Sequence, residues 1–146
     1  MSVSFNFVTE RIAVGGAIGD INGLNELIAQ GITHIIDMQA EFDDQTLRDS
    51  RVTVLWLPQE DDGTPRPPGH YLQGARFAYA MLAIPEHKIY CHCAAGVNRG
   101  PTMCYALLRS FGIPKEEAIG MIQKARPQVG FFHQQNYLDS VEKDLR

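Results

Sequence analysis

No hydrophobic stretch in this chain approaches the roughly 20 residues that a bilayer-spanning helix needs. That absence sets aside the membrane-spanning classes. Cysteine is scarce, with 3 residues in 146, unevenly placed as Cys91, Cys93 and Cys104. This excludes a disulfide-built scaffold. Cys91 and Cys93 have only His92 close to them in sequence, which falls short of the ligand set of a structural zinc site. Neither a metal nor a cofactor is therefore expected. Basic residues are in deficit, 13 Lys and Arg against 17 Asp and Glu. A generic nucleic-acid or membrane-surface binder carries a basic face, and none is evident, so neither partner is expected. Met1-Ser2-Val3-Ser4-Phe5-Asn6 shows no basic region leading into a signal core, and Glu142-Lys143-Asp144-Leu145-Arg146 is not a prenylation box. The expectation is a cytoplasmic protein.

What is present fits one domain over residues 1–146, with 45% hydrophobic and 21% charged residues. Phe5–Val8 and Ile12–Val14 read as short strands around a turn. Asp20 is placed to cap a helix over Ile21–Gln30, and Leu24, Leu27 and Ile28 share one face of it. Ile32–Met38 is a β-branched run, hence a buried strand. A short helix is expected near Asp43–Arg48, then a strand over Val52–Leu57 closed by Pro58. Gln59–Pro68 is a polar Gly/Pro loop carrying Glu60, Asp61, Asp62 and Arg66, the last read as a solvated charge. Helix Gly69–Ile84, strand Lys88–Cys91, helix Arg99–Phe111, a helix from Pro114 to Ala125 and a last helix over Phe132–Leu145 complete the chain. Strands alternating with helices predict an α/β domain with a mainly parallel, mixed sheet of about five strands flanked by helices.

The chemistry concentrates in Ile89-Tyr90-Cys91-His92-Cys93-Ala94-Ala95-Gly96-Val97-Asn98-Arg99-Gly100-Pro101. A strand runs into His-Cys, a short Gly-containing loop follows, and Arg99 opens a helix. The Cys-x5-Arg spacing can set a thiol and a guanidinium around one phosphate-sized anion. Backbone N–H groups of Ala94, Ala95, Gly96, Val97, Asn98 and Arg99 can form the nest around it. The helix N-terminus adds positive potential, which favours the reactive thiolate of Cys93. Arg99 offers a planar fork to the equatorial oxygens. A leaving alkoxide needs a proton, and the Asp61-Asp62 loop is its natural source. Cys91, Cys104, Met81, Met103 and Met121 read as core. Asp37 reads as a hydrogen-bonded loop support, and Arg126 as a support for the loop or a helix end.

His-Cys-Ala-Ala-Gly-Val-Asn-Arg resembles the HCxxGxxR signature of the cysteine-dependent tyrosine phosphatases, and within them the compact dual-specificity group. Gly31-Ile32-Thr33-His34-Ile35-Ile36-Asp37, Leu57-Pro58-Gln59-Glu60-Asp61, and Arg126-Pro127 with Phe132 and Gln134-Gln135 resemble further segments of that family. The resemblance covers nearly the whole chain. It implies a dual-specificity phosphatase-like fold and metal-independent hydrolysis of a phosphorylated protein or peptide through a cysteinyl-phosphate. It makes Cys93 the nucleophile, Arg99 the phosphate clamp and His92 the orienter of the Cys93 backbone. Counting from Pro58 makes Asp61 the general acid; anchoring on Asp62-Gly63-Thr64-Pro65 makes it Asp62. Asp61 is preferred. Gln134 and Gln135 are candidates for positioning the hydrolytic water.

Two positions depart from the family pattern. Gly100 replaces the usual Ser or Thr after the arginine, whose hydroxyl helps the sulfur leave, and Asn98 replaces a frequent Ser. Slow hydrolysis of the intermediate is therefore expected. Two alternatives remain: a phosphoinositide or other small-molecule phosphatase, and a phosphate-binding pseudophosphatase.

Overall fold

The computed structural model describes residues 2–131 and 135–146. The elements run in the order β1 (Phe5–Phe7), β2 (Ile12–Gly15), α1 (Ile21–Ala29), β3 (His34–Gln39), a one-turn 3-10 helix (Asp44–Leu47), β4 (Thr53–Gln59), α2 (His70–Leu82), β5 (Ile89–His92), α3 (Arg99–Ser110), α4 (Lys115–Ala125) and α5 (Gln135–Asp144). The strands form one 5-stranded sheet in the order β1-β2-β5-β3-β4. β1 lies antiparallel to β2, and the remaining pairs are parallel. This is the mixed, mainly parallel α/β sheet that the strand–helix alternation predicts.

The sheet divides the apolar residues by the two-residue period of a strand. Ile12, Val14, Ile36, Met38, Ile89 and Cys91 face one core, and Ala13, Ile35 and Tyr90 face the other. The first core is covered by residues of α2, α3, α4 and α5. The second is covered by α1, whose Leu24 and Leu27 are buried there, each contributing about 1.5–3 kcal/mol. Asp20 caps α1 by accepting the Gly23 N–H at 3.0 Å, as its position predicts. Cys91 and Cys104 are free, buried thiols of the first core.

Most boundaries lie within two residues of expectation; β3, for example, begins at His34 rather than Ile32, and α2 ends at Leu82 rather than Ile84. β4 runs through Pro58 to Gln59 rather than stopping at Leu57. It is an edge strand, so the missing N–H of proline costs no ladder bond. α5 begins at Gln135, and the predicted start at Phe132 lies outside the described residues. Among the described residues, no helix is long and apolar enough to cross a membrane.

The parallel strands β2, β5 and β3 all end at one edge, where crossover connections leave a crevice. β5 is central in the sheet, so its carboxyl end is the best-enclosed point along that edge.

Candidate active site

Cys93 sits at that point, directly after β5 and 2% exposed. From it the chain turns through residues 94–98 into α3. The loop's carbonyl groups are engaged by neighbouring donors. The Ala94 oxygen accepts from the Ala17 N–H at 2.9 Å. The Ala95 and Gly96 oxygens accept from the buried Arg126 guanidinium at 3.1 and 2.7 Å. In trans peptides the N–H lies opposite the carbonyl, so these bonds turn the following N–H groups toward the concave side. Arg126 is in turn held by Asn6 Oδ1 at 2.9 Å and Ser4 Oγ at 3.0 Å. It is the loop support that the sequence anticipates.

Two glycines allow the close packing around this loop. Gly96 has φ +73°, and a Cβ there would come within 2.4 Å of the Gly15 carbonyl carbon. At Gly100 a Cβ would meet His92 Cα at 3.0 Å and the Cys93 nitrogen at 3.1 Å. The first turn of α3 thus packs closely on the end of β5.

Arg99 is 4% exposed. Its Nη1 and Nη2 donate to the two Glu41 carboxylate oxygens at 2.7 and 2.9 Å, and Nη1 also donates to the Gln59 carbonyl at 2.8 Å. The Arg99 contact holds the Glu41 carboxyl down at about 2. Arg99 Nε is buried and has no hydrogen-bond partner among the described residues. A buried, unpaired donor on a guanidinium is costly unless a ligand oxygen satisfies it.

The acidic loop borders the same mouth. Asn98 Nδ2 donates to both Asp61 carboxylate oxygens, at 3.2 and 3.0 Å. Asp62 instead accepts from the Thr64 N–H at 3.0 Å and the Thr64 hydroxyl at 2.7 Å, a local turn that lowers its pKa. The loop is tied to α5. Tyr137 Oη accepts from the Gly63 N–H at 2.8 Å and donates to the Glu60 carbonyl at 3.2 Å. Asn136 Nδ2 donates to the Gly63 carbonyl, and Ser140 Oγ accepts the Arg66 N–H. Asp144 caps α2, whose own N-cap is a glycine, by accepting from the Gly69 and Tyr71 N–H groups at 2.9 Å. Arg66 is half-buried with its Nε enclosed, rather than the solvated charge its sequence context implies.

The fold therefore brings Cys93, Ala94 to Asn98, Arg99 and Asp61 together at one mouth, with His92 and Gly100 buried beneath it and Asp62 beside it facing its own turn. Gln135 is exposed in the first turn of α5 and donates to Asp139 at 2.8 Å along that helix. Gln134 lies outside the described residues. Sequence reasoning missed Glu41, Asp44 and Tyr137, along with the close approach at Gly15 and Gly16. A Cβ at Gly16 would meet the Ala94 oxygen at 2.9 Å, and the Gly-Gly pair at a strand end was the available signal.

Comparison with known proteins follows the same line. The model of the dual specificity phosphatase catalytic domain matches residues 16–142. Mouse dual specificity protein phosphatase 13B is 31% identical over 123 residues, covering 78% of this chain and 62% of that protein. The human counterpart is 28% identical over 125 residues, covering 80% and 63%. The chain thus spans less than two thirds of the length of these relatives. Among solved structures, PTPMT1 in complex with PI(5)P superposes with a TM-score of 0.79 over 95% of each chain at 20% identity. Human tyrosine phosphatase-like serine/threonine/tyrosine-interacting protein does so at 0.77 over 96% of this chain and 94% of that one, at 19% identity. At these identities the likeness is one of fold.

Proposed function

We propose a metal-independent protein phosphatase, acting on singly phosphorylated tyrosine, serine or threonine side chains, for this chain, which belongs to the dual specificity phosphatase catalytic-domain family. One observation carries the reading. The Cys93–Arg99 loop has its carbonyls bonded outward, an unpartnered Arg99 Nε at its edge, and the Asp61 carboxylate at its mouth.

The phosphate monoester docks on the loop N–H groups and Arg99. The Cys93 thiolate attacks phosphorus, and the bond from phosphorus to the ester oxygen breaks. Asp61 gives that oxygen its proton, and a cysteinyl-phosphate remains on the enzyme. Charge on the transferring oxygens is met by donors already in place. Asp61, now ionised, accepts a proton from water as the water attacks phosphorus. Phosphate leaves and the thiolate returns. Gly100 offers the departing sulfur no hydroxyl, so this second step is the slow one.

The charge of the rim supports this substrate class. Glu41, Glu60, Asp61 and Asp62 are all exposed on the segments bordering the loop, and Ala94, Ala95 and Val97 add no positive charge within it. Such a rim repels a headgroup carrying several phosphates and accepts a single phosphate on a neutral or basic peptide. A phosphoinositide phosphatase is the second reading, because the fold is shared with PTPMT1, whose complex holds PI(5)P.

The test is turnover of p-nitrophenyl phosphate in EDTA, followed by kcat/KM for phosphopeptides against phosphoinositides. The expected result is a product burst near one per enzyme, then slow turnover, with activity lost in Cys93→Ser and strongly reduced in Arg99→Lys. Higher kcat/KM on phosphoinositides would favour the second reading. Full activity in Cys93→Ser, or tight phosphopeptide binding with no turnover of any ester, would overturn the proposal.

A further inference from the structure

Beneath the loop, His92 is fully buried, and both of its ring nitrogens face oxygen acceptors. Nδ1 lies 3.1 Å from the Cys93 carbonyl oxygen. Nε2 makes a short contact with Asp44 Oδ2. A carbonyl oxygen can only accept, so Nδ1 carries a proton; a carboxylate on the other side calls for one on Nε2 as well. Asp44 is brought there by Asp37, which pairs with His92 in register across β3 and β5. Asp37 Oδ2 accepts the Asp44 N–H and Oδ1 accepts the Gln39 N–H, both at 2.9 Å. Asp37 Oδ1 itself stands 3.7 Å from His92 Nε2. From β5, the Tyr90 ring stacks on the imidazole at 5.1 Å, its hydroxyl bonded to the Gly16 carbonyl.

We propose that Asp44 is a positioning residue for the nucleophile: it holds His92 as a doubly protonated imidazolium under the loop, so that Cys93 faces the positive end of a buried ion pair. This rests on the assignment of Cys93 as nucleophile.

Charge balance supports the arrangement. A buried cluster of two carboxyls and one imidazole is cheapest when it sums to zero. Burial pushes Asp37 up to about 7, which favours its neutral form beside His92. Burial alone would lower the His92 pKa, but the Asp44 hydrogen bond and charge lead the contacts that more than offset it, and the net direction is up. The pair is oriented, because the imidazolium bonds the Cys93 backbone while Asp44 sits on the far nitrogen. Asp44 Oδ1 is buried without a partner among the described residues, an arrangement a simple turn-capping residue would avoid.

The experiment is the pH profile of Cys93 alkylation by iodoacetate, located by mass spectrometry, in the wild type and in Asp44→Asn. Asn keeps the shape and removes the charge that holds the second proton. The alkylation midpoint should rise by about one pH unit or more, making reaction about tenfold slower well below the midpoint. An unchanged midpoint in a folded Asp44→Asn protein overturns the proposal. Should that variant fail to fold, nitrogen NMR of His92 in the wild type decides. Two ring N–H protons at neutral pH support the assignment, and a single neutral tautomer overturns it. Neither readout requires turnover. A wild type that shows the imidazolium yet hydrolyses no phosphate ester would count against the proposed reaction and leave the role of Asp44 standing.

Discussion

Below the Cys93–Arg99 loop, His92 and Asp37 have no exposed surface and Arg126 has 2%. Above it, Asp61 and Asp62 lie in solvent on a loop tied down by side chains of α5 and by Asn98. The floor is continuous with the sheet, since Asp37 and His92 are partners in the strand register. The roof is a separate segment fastened by a few bonds. In the floor, the groups that shape the Cys93–Arg99 loop also hold the fold together, so a change there is expected to act on stability and on the proposed activity at once. In the roof, proton transfer can be altered while the fold stays intact.

The largest expected separation comes from Asp61→Asn. Removing the proposed acid should reduce kcat about 10²–10⁴-fold on phenyl phosphate, whose leaving group needs a proton. The loss should be far smaller on p-nitrophenyl phosphate, and the urea midpoint should not move. Equal losses on the two esters would show that Asp61 is not the acid. Arg126→Met should do the opposite. It deletes bonds to Gly96, Ala95, Asn6 and Ser4. Hydrogen bonds from a charged donor are worth about 1.5–3 kcal/mol each, part of which the methionine recovers by packing. A loss of about 3 kcal/mol in urea unfolding is expected, with comparable activity losses on both esters.

pH separates the regions more gently, and with opposite sign. Asp37 has a folded value of about 7 against 3.8 for the free side chain. Between these the folded state keeps a proton that the unfolded state has released, so this contribution is full below about 4 and fades as pH rises to about 7. His92, also raised, acts in the same direction through its own folded value. On the rim, Glu41 is lowered from 4.5 to about 2, so its contribution is present above 4.5 and is lost as pH falls toward 2. Urea midpoints measured across pH 3 to 9 in wild type, Asp37→Asn and Glu41→Gln check both signs. Asp37→Asn should flatten the neutral limb and Glu41→Gln the acid limb.

The same contrast explains what the sequence made legible. Cys93, Arg99 and the N–H groups between them are contiguous, because a nest around one anion must be built from one short loop. The strands were readable from β-branched runs, and Arg126 from its place beside Pro127. Glu41, Asp44 and Tyr137 were not, because their roles exist only after chain segments meet. Asp44 reaches His92 across 48 residues, and Tyr137 reaches Gly63 across 74. No local pattern distinguishes an acid that faces a histidine from one that caps a turn. Tyr137→Phe tests the long-range tie to the roof. It removes one hydroxyl that bonds Gly63 and Glu60, worth about 1 kcal/mol. The expected outcome is about fivefold lower kcat on phenyl phosphate, with p-nitrophenyl phosphate turnover nearly unchanged. Equal losses on both esters would mean that the tie supports the fold rather than the acid.

The smallest effect is expected at Asp62, and it is informative because it is small. Both aspartates satisfy a sequence-level rule for the acid, one counted from Pro58 and the other from the Gly63-Thr64-Pro65 turn. Their geometry differs. The Asp61 carboxylate faces Asn98 on the Cys93–Arg99 loop, whereas the Asp62 carboxylate is spent on Thr64 two residues ahead. An Asn at position 62 keeps an oxygen that can accept from Thr64, so the turn survives. Asp62→Asn should change stability by no more than about 0.5 kcal/mol and leave the ratio of phenyl to p-nitrophenyl phosphate turnover at its wild-type value. A collapse of that ratio in Asp62→Asn, with Asp61→Asn unaffected, would exchange the two roles. It would mean that the loop turns over when substrate binds, and that the roof is less fixed than its bonds to α5 imply.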